Sequence, residues 1–310
     1  MSQIVTLTPN PAIDLSTAID RIVPNLKLRC AQPRRDPGGG GVNVARVIKR
    51  FGGDVEAVLP VGGFTGELLR RLLEREEVPS RLIRAEADTR EDFSVTERGT
   101  GSQFRFVLPG EPLRESEWRE CLKAIGIARP AFIVGSGSLP PGVPDDFYAQ
   151  AAAIARELGA KFFLDTSGPP LAVAIEHGVD MIKPNLREMR ELTGASLSGE
   201  DGWIAAARMY IDSGKVGAVA LSLGHLGAML ITRDQALRSL PPPIKPISTV
   251  GAGDSFLGAV VYSLAKGEAL ADAFQLGVAA GSAALVQEGT GLCSPADAYR
   301  LSRQVSIPSF

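Results

Sequence analysis

Short apolar runs alternate with amphipathic stretches along most of this chain, and that rhythm admits few folds. Val55 to Val61, Ala131 to Val134, Phe162 to Leu164, Met181 to Ile182 and Val216 to Leu221 read as buried strands. Asn43 to Phe51, Gly66 to Glu76, Asp145 to Leu158 and Gly202 to Asp212 carry helical patterns. Strands apolar on both faces and separated by helices pack into a parallel sheet covered on both sides. The expected fold class is α/β, a doubly wound, mostly parallel sheet with helices on both faces. Ser16 to Asp36 and Asp88 to Leu108 break the rhythm with alternating polar and apolar residues and no long helix between. They are predicted to supply a small β-sheet lid, built as two insertions (about 16–36 and 88–108) in a single domain spanning 1–310. Pro241-Pro242-Pro243 predicts an extended connection.

With 310 residues, 45% of them hydrophobic, the chain can bury a large core. Its net charge of -2 gives no global attraction to nucleic acid or to an anionic membrane, so neither is an expected partner, and an anionic ligand must be met by local basic clusters. The chain enters an apolar strand pattern at Ile4 without a basic leader, and no apolar run reaches the roughly 18 residues of a membrane span, so a cytoplasmic location is expected. Cys30, Cys121 and Cys293 are widely separated, and the histidines are only His177 and His225; neither a disulfide framework nor a zinc site is suggested.

Against that background, Thr249-Val250-Gly251-Ala252-Gly253-Asp254-Ser255-Phe256 sets a carboxylate behind two glycines at the expected start of a helix. Glycines let backbone N–H groups approach an anion, the helix N-terminus adds partial positive charge, and Asp254 can take a proton from a hydroxyl. Phosphoryl transfer to an alcohol needs that combination; a tight turn with a capping Asp is the plainer alternative. Pro37-Gly38-Gly39-Gly40-Gly41-Val42-Asn43 is a second glycine-rich helix entry, where Asn43 offers an amide to hydroxyls or phosphate. It lacks the spacing of a dinucleotide fingerprint, and no G-x-x-x-x-G-K-[ST] occurs. Asp14 falls just after the first strand, where open α/β sheets bind ligands, and could grip two sugar hydroxyls. Asn185 and Glu188, three apart at a strand-to-helix junction, suit either Mg²⁺ held through water or a capping box. Lys27, Arg29, Arg90 and Arg105 lie in the expected lid, where guanidinium forks fit phosphate oxygens, although basic residues also protect sheet edges.

Gly38 to Asn43, Asn185-x-x-Glu188 and Gly251-Ala252-Gly253-Asp254, in this order and at these separations, resemble the ribokinase-like sugar kinases of the PfkB family over essentially the whole chain. Leu7 to Asp14, Lys27 to Cys30, Phe104 to Gly110, Ser136 to Gly142 and Gly289 to Ser294 are similar to the minor-type bacterial 6-phosphofructokinase branch. The resemblance implies transfer of the ATP γ-phosphoryl group to the 1-hydroxyl of fructose 6-phosphate. It implies Asp254 as base and the backbone of Gly251, Ala252 and Gly253 with Asp254 as an anion hole. Asp14, Gly39, Asn43 and Ser138 would hold the sugar, and Arg90 and Arg105 its phosphate. Lys27 and Arg29 would reach that phosphate across a homodimer clasped through the lid. Lys183, Asn185, Ser222, Gly224, Gly227 and Thr249 would hold ATP, Asn185 and Glu188 would address Mg²⁺, and K⁺ near the anion hole is implied as well. The opening Thr8-Pro9-Asn10-Pro11-Ala12-Ile13-Asp14 is nearer the pattern of 1-phosphofructokinases and tagatose-6-phosphate kinases, which leaves the identity of the phosphosugar open.

Overall fold

The computed structural model describes residues 3–287 and 291–307. In chain order its strands are β1 (Ile4–Leu7), β2 (Ala12–Ile19), β3 (Arg34–Gly38), β4 (Val55–Val61), β5 (Ser80–Arg84), β6 (Arg90–Glu97), β7 (Gln103–Phe106), β8 (Phe132–Ser136), β9 (Lys161–Asp165), β10 (Val179–Ile182), β11 (Val216–Ser222), β12 (Ala228–Thr232) and β13 (Ala236–Ser239). The helices are α1 (Gly40–Arg50), α2 (Gly63–Arg75), α3 (Glu115–Ala128), α4 (Phe147–Leu158), α5 (Pro169–Glu176), α6 (Leu186–Thr193), α7 (Gly199–Asp212), α8 (Ala252–Ala265), α9 (Leu270–Leu285) and α10 (Pro295–Ser302). No helix among the described residues is long and apolar enough to cross a membrane.

Nine strands form one sheet in the order β13-β12-β11-β10-β9-β8-β1-β4-β5. Pairing is parallel from β5 through β11, and antiparallel where β12 and β13 close one edge. The alternation of side chains along each strand feeds two cores. Ile4, Ala57, Leu59, Val134 and Phe163 pack on the side of α1, α8 and α9, whereas Val5, Leu7, Val58, Ile133 and Phe162 pack on the side of α3 and α4. The mostly parallel, doubly covered sheet is the one expected. The chain winds outward from β1 through β4 to β5, then returns to the other side of β1 with β8 and continues to β9 and β10. That reversal puts a topological switch point between β1 and β8, and a crevice outside their carboxyl ends.

A second sheet of four strands, in the order β3-β2-β6-β7, lies within and beside the two irregular stretches. Its strands begin earlier than expected at the first stretch, at Ala12, and residues 20–33 form neither helix nor strand. The helix expected from Asn43 starts at Gly40, because the carbonyl of Gly39 already accepts the N–H of Asn43 at 2.9 Å. The sheet is two-faced. Asp14 stands beside Asp92, and Ser94 beside Arg105, on one face; Phe93 beside Phe106, and Val95 beside Phe104, on the other.

Helix α8 lies between α1 and α9, and Gly258 sets its distance from α1: a Cβ there would fall 2.8 Å from Cγ1 of Val47 and 3.2 Å from the carbonyl oxygen of Val44. Because α1 carries Asn43 and α8 carries Asp254, this one contact governs how close those side chains come. Gly258→Ala gains about 1 kcal/mol of helix propensity but forces the helices apart, at a cost of roughly 1–3 kcal/mol. The expected outcome is net destabilisation in urea denaturation together with reduced turnover; a more stable, fully active variant would show that the helices separate freely.

Candidate active site

Five strand ends deliver side chains to the crevice. Asn10, just beyond β1, donates through Nδ2 to Oγ of Ser138, just beyond β8, at 3.2 Å, and to the carbonyl of Pro109 at 3.0 Å. Asp165 ends β9, and its Oδ2 lies 3.0 Å from Nζ of buried Lys183, which follows β10. Ser222 ends β11. Facing them, α8 begins after Gly251, whose φ of 76° is the left-handed turn that glycine takes without strain. The first turn of α8 has no side-chain cap, so its leading N–H groups point outward without an intrahelical acceptor. Lys183 closes in on this turn: a Cβ at Gly253 would sit 3.1 Å from its Nζ. An ammonium beside free helix N–H groups is a site for an anion carrying several charges.

Asp254 lies in that first turn, and its Oδ2 accepts from Nδ2 of Asn43 at 2.9 Å. Burial pushes its carboxyl up to about 6, the Asp165 charge adding to the rise while Asn43, Lys183 and Arg105 oppose it. Asp14 lies against the glycine turn: a Cβ at Gly38 would be 2.4 Å from its Oδ1. Burial, then Asp92 and Asp254, lift Asp14 to about 7 against the pull of Arg46 and Arg105. Asp14, Asp254 and Arg105 thus lie near enough to act on one another, with Asn43 bonded to Asp254 and the glycine turn against Asp14.

Beside the α8 turn opens a cavity of about 700 Å³, lined by Lys183, Asn185, Ser222, Gly224, Gly227 and Thr249, the six positions expected to hold ATP. Pro241 to Ile244 and Phe256 supply apolar wall. The model of the pfkB family of carbohydrate kinases matches residues 7–297. This chain belongs to that family. The kinase is 44% identical to an ATP-dependent 6-phosphofructokinase isozyme 2 of Mycobacterium tuberculosis, over 99% of this chain and 91% of the relative. It is 41% identical to the isozyme 2 of Escherichia coli, over 99% and 100%. A crystal structure of phosphofructokinase-2 from Escherichia coli in complex with potassium superposes with a TM-score of 0.94 at 40% identity, covering 98% of this chain and 99% of that one. A ribokinase of Arabidopsis thaliana, 18% identical with a TM-score of 0.77 over 98% and 99%, shares the fold alone.

Other expected positions of the kinase fall differently. Asn185 and Glu188 form a complete capping box at the start of α6, each side chain accepting the other's backbone N–H at 2.9 Å. The capping alternative is therefore built, and each side chain keeps acceptor capacity beyond it. Arg90 binds inward: Nη1 donates to the carbonyl of Leu108 at 2.6 Å and Nη2 to that of Asn10 at 3.2 Å, with Asp92 3.3 Å away. Lys27 and Arg29 line a separate exposed hollow with Arg98, away from Asp14 and Asp254 within this chain. Gly289 and Thr290 lie outside the described residues. Asn10, Asp165 and Arg46 were not singled out by sequence. Asp165 had a usable signal, an acidic residue closing the apolar run Phe162 to Leu164.

Because Asp14 and Asp254 titrate above the ordinary carboxylate value of 3.8 when folded, folding takes up protons. The ionised pair strains the ligand-free fold above pH about 7, and the strain is relieved as pH falls toward about 4. Asp14→Asn should therefore be more stable than the parent at pH 8, on the order of 1–3 kcal/mol by urea denaturation, with the gap closing near pH 4. Equal stability at pH 8 would mean that the cleft solvates both charges.

Proposed function

We propose that this kinase is an ATP-dependent 6-phosphofructokinase, moving the γ-phosphoryl group of ATP to the 1-hydroxyl of fructose 6-phosphate and releasing fructose 1,6-bisphosphate and ADP. The observation that carries the proposal is that the cavity lined by Lys183, Ser222 and Thr249 reaches Ala252 and Gly253 in the first turn of α8, the turn that carries Asp254, bonded to Asn43 and under the influence of Asp14 and Arg105. Donor and acceptor would thus meet at one carboxylate. The names of the relatives from Mycobacterium tuberculosis and Escherichia coli select the substrate.

In this reading Asp14, Gly39, Asn43 and Ser138 hold the sugar hydroxyls, and Arg105 reaches the 6-phosphate from the inner face of the small sheet, which serves as a lid. Arg90 shares that phosphate and, by holding the Asn10 carbonyl, shapes the loop that carries Ser138's partner. Asp254, ionised near neutral pH, takes the proton of the 1-hydroxyl as its oxygen attacks phosphorus and the bond to the ADP oxygen breaks. The N–H groups of Gly251 to Asp254 and the Lys183 ammonium stabilise charge spread over the transferring group. Asn185, which lines the cavity, and Glu188, bonded to it and acting on Lys183, offer an amide and a carboxylate that fit Mg²⁺ reached through water, which when bound would neutralise the ATP phosphates. Potassium, present in one Escherichia coli structure, is proposed near the anion hole; Gly291 and Leu292, which approach Gly251, adjoin residues 288–290, and no ligand set is assigned.

The lid's outer face supports a homodimer: Phe93, Phe104 and Phe106 are exposed there, as are Leu26 and Leu28 on the adjoining segment. Such a dimer would bring Lys27 and Arg29 to a partner's cleft. The Escherichia coli relative also has a tetrameric inhibited form. Sedimentation should give a dimer that Phe104→Glu dissociates; a monomeric parent would end the trans assignment of Lys27 and Arg29.

ADP release should favour fructose 6-phosphate over tagatose 6-phosphate, fructose 1-phosphate and free fructose in kcat/KM. Preference for another sugar would keep the chemistry and change the substrate. Asp254→Asn should lower kcat by at least about 100-fold while sugar-phosphate binding persists. Arg105→Ala should chiefly raise KM for the phosphosugar; an unchanged KM would place the phosphate elsewhere.

A further inference from the structure

Arg46, one turn along α1 from Asn43, has a completely buried guanidinium. A charge so placed persists only when paired and fully bonded. Its Nε and Nη2 donate to the two carboxylate oxygens of Glu76 at 2.9 and 2.6 Å, with Asp36 3.8 Å from Nη2. Glu76 in turn holds Arg50 at 3.4 Å. The remaining nitrogen of Arg46, Nη1, points toward the cleft, donating to the carbonyl of Pro37 at 2.9 Å and to Oδ1 of Asn43 at 3.1 Å.

A guanidinium can only donate, so the atom Asn43 presents to Arg46 must be its oxygen. The amide nitrogen is thereby turned toward Asp254. The reversed amide would oppose two donors on one side and two acceptors on the other. We propose that Arg46 is a positioning residue for phosphoryl transfer: it sets the amide of Asn43 so that Nδ2 holds the Asp254 carboxylate, and it pins Pro37 at the entry of the glycine turn. The role rests on the reading of Asp254 as base. Besides Asn43, the charged groups acting on Asp254 are Asp165 at the end of β9, Lys183 beyond β10 and Arg105 on β7, while Asp14 on β2 also feels Asp254. None of these fixes the Asn43 amide.

Arg46→Lys keeps the positive charge but cannot bond Glu76 in bidentate fashion and Asn43 together. In this variant kcat should fall about 100-fold, as for a misplaced catalytic group, while KM for ATP stays at the parent value. The acid limb of the kcat profile should move to higher pH, because the Asn43 bond is the largest of the influences that favour ionised Asp254, ahead of Lys183 and Arg105. The side-chain amide resonance of Asn43 in ligand-free protein should shift or broaden, a readout independent of turnover. Parent kcat, acid limb and Asn43 resonance in a folded variant would overturn the proposal, as would a fall in kcat with the limb and resonance unmoved. Should Arg46→Lys not fold, Glu76→Gln decides: a smaller fall with the same limb and resonance changes supports the role, and none of these changes overturns it. Failure of the parent protein to phosphorylate any sugar of the panel would defeat the functional reading, leaving the Asn43 resonance to judge Arg46 alone.

Discussion

Three carboxylates, Asp14, Asp165 and Asp254, crowd the rim where the central sheet meets α8, and the surrounding structure is arranged to keep them tolerable. Each has a cationic counterweight from a different element. Lys183 pairs with Asp165 at 3.0 Å and also acts on Asp254, Arg105 acts on Asp14 and Asp254 from the small sheet, and Arg46 acts on Asp14 from within α1. The balance leaves two carboxyls near the middle of the pH scale, where a group can both accept a proton and survive ionised. Burial tends to discharge Lys183, yet Asp165, with Asp254 and Glu188, together more than offset it and hold the ammonium above its ordinary value. The lysine beside the α8 turn therefore stays positive, which matches an anionic ligand there.

The small sheet owes its use to its pleat. Alternation along β6 and β7 sends Asp92 and Arg105 toward the cleft and Phe93, Phe104 and Phe106 outward, so one thin layer presents a charged inner surface and an apolar outer one. The sheet is partly covered by the main body: Ile13 of β2 is buried in the core beside α1 and α8, and α2 contacts β2 and β3. It is held to the main body by the Arg90 contact with the carbonyl of Asn10, and by Gln103, whose side chain lies 3.5 Å from Oγ of Ser248 just ahead of the α8 turn.

Much of this site is legible in the sequence because its chemistry depends on local backbone form. Gly251 to Asp254 announces a helix start that anions can approach, whereas the six positions Lys183, Asn185, Ser222, Gly224, Gly227 and Thr249, which line one cavity, were implied by the family resemblance and not by local form. Residues whose importance comes from distant partners were silent. Arg46 looks like one more basic residue of an amphipathic helix until Glu76, 30 positions away, and Asn43 are seen to share it. Asn10 meets Ser138 across 128 positions, and Pro241 to Ile244 reads as a mere connection although it walls the cavity.

The sequence by itself determined the alternation that yields a doubly wound sheet, the glycine-rich entry at Gly251 and the position of Asp254 in the first turn of a helix, since each follows from local periodicity or the absence of a Cβ. Tertiary structure alone decided which strand ends share a crevice, which arginines face it and how far each carboxyl is displaced from its ordinary acidity. Arg90 and Arg105 sit on neighbouring strands with the same charge, yet Arg90 is tied to backbone carbonyls while Arg105 acts on the two acids. The difference arises because desolvation and charge act through space, and only folding sets those distances.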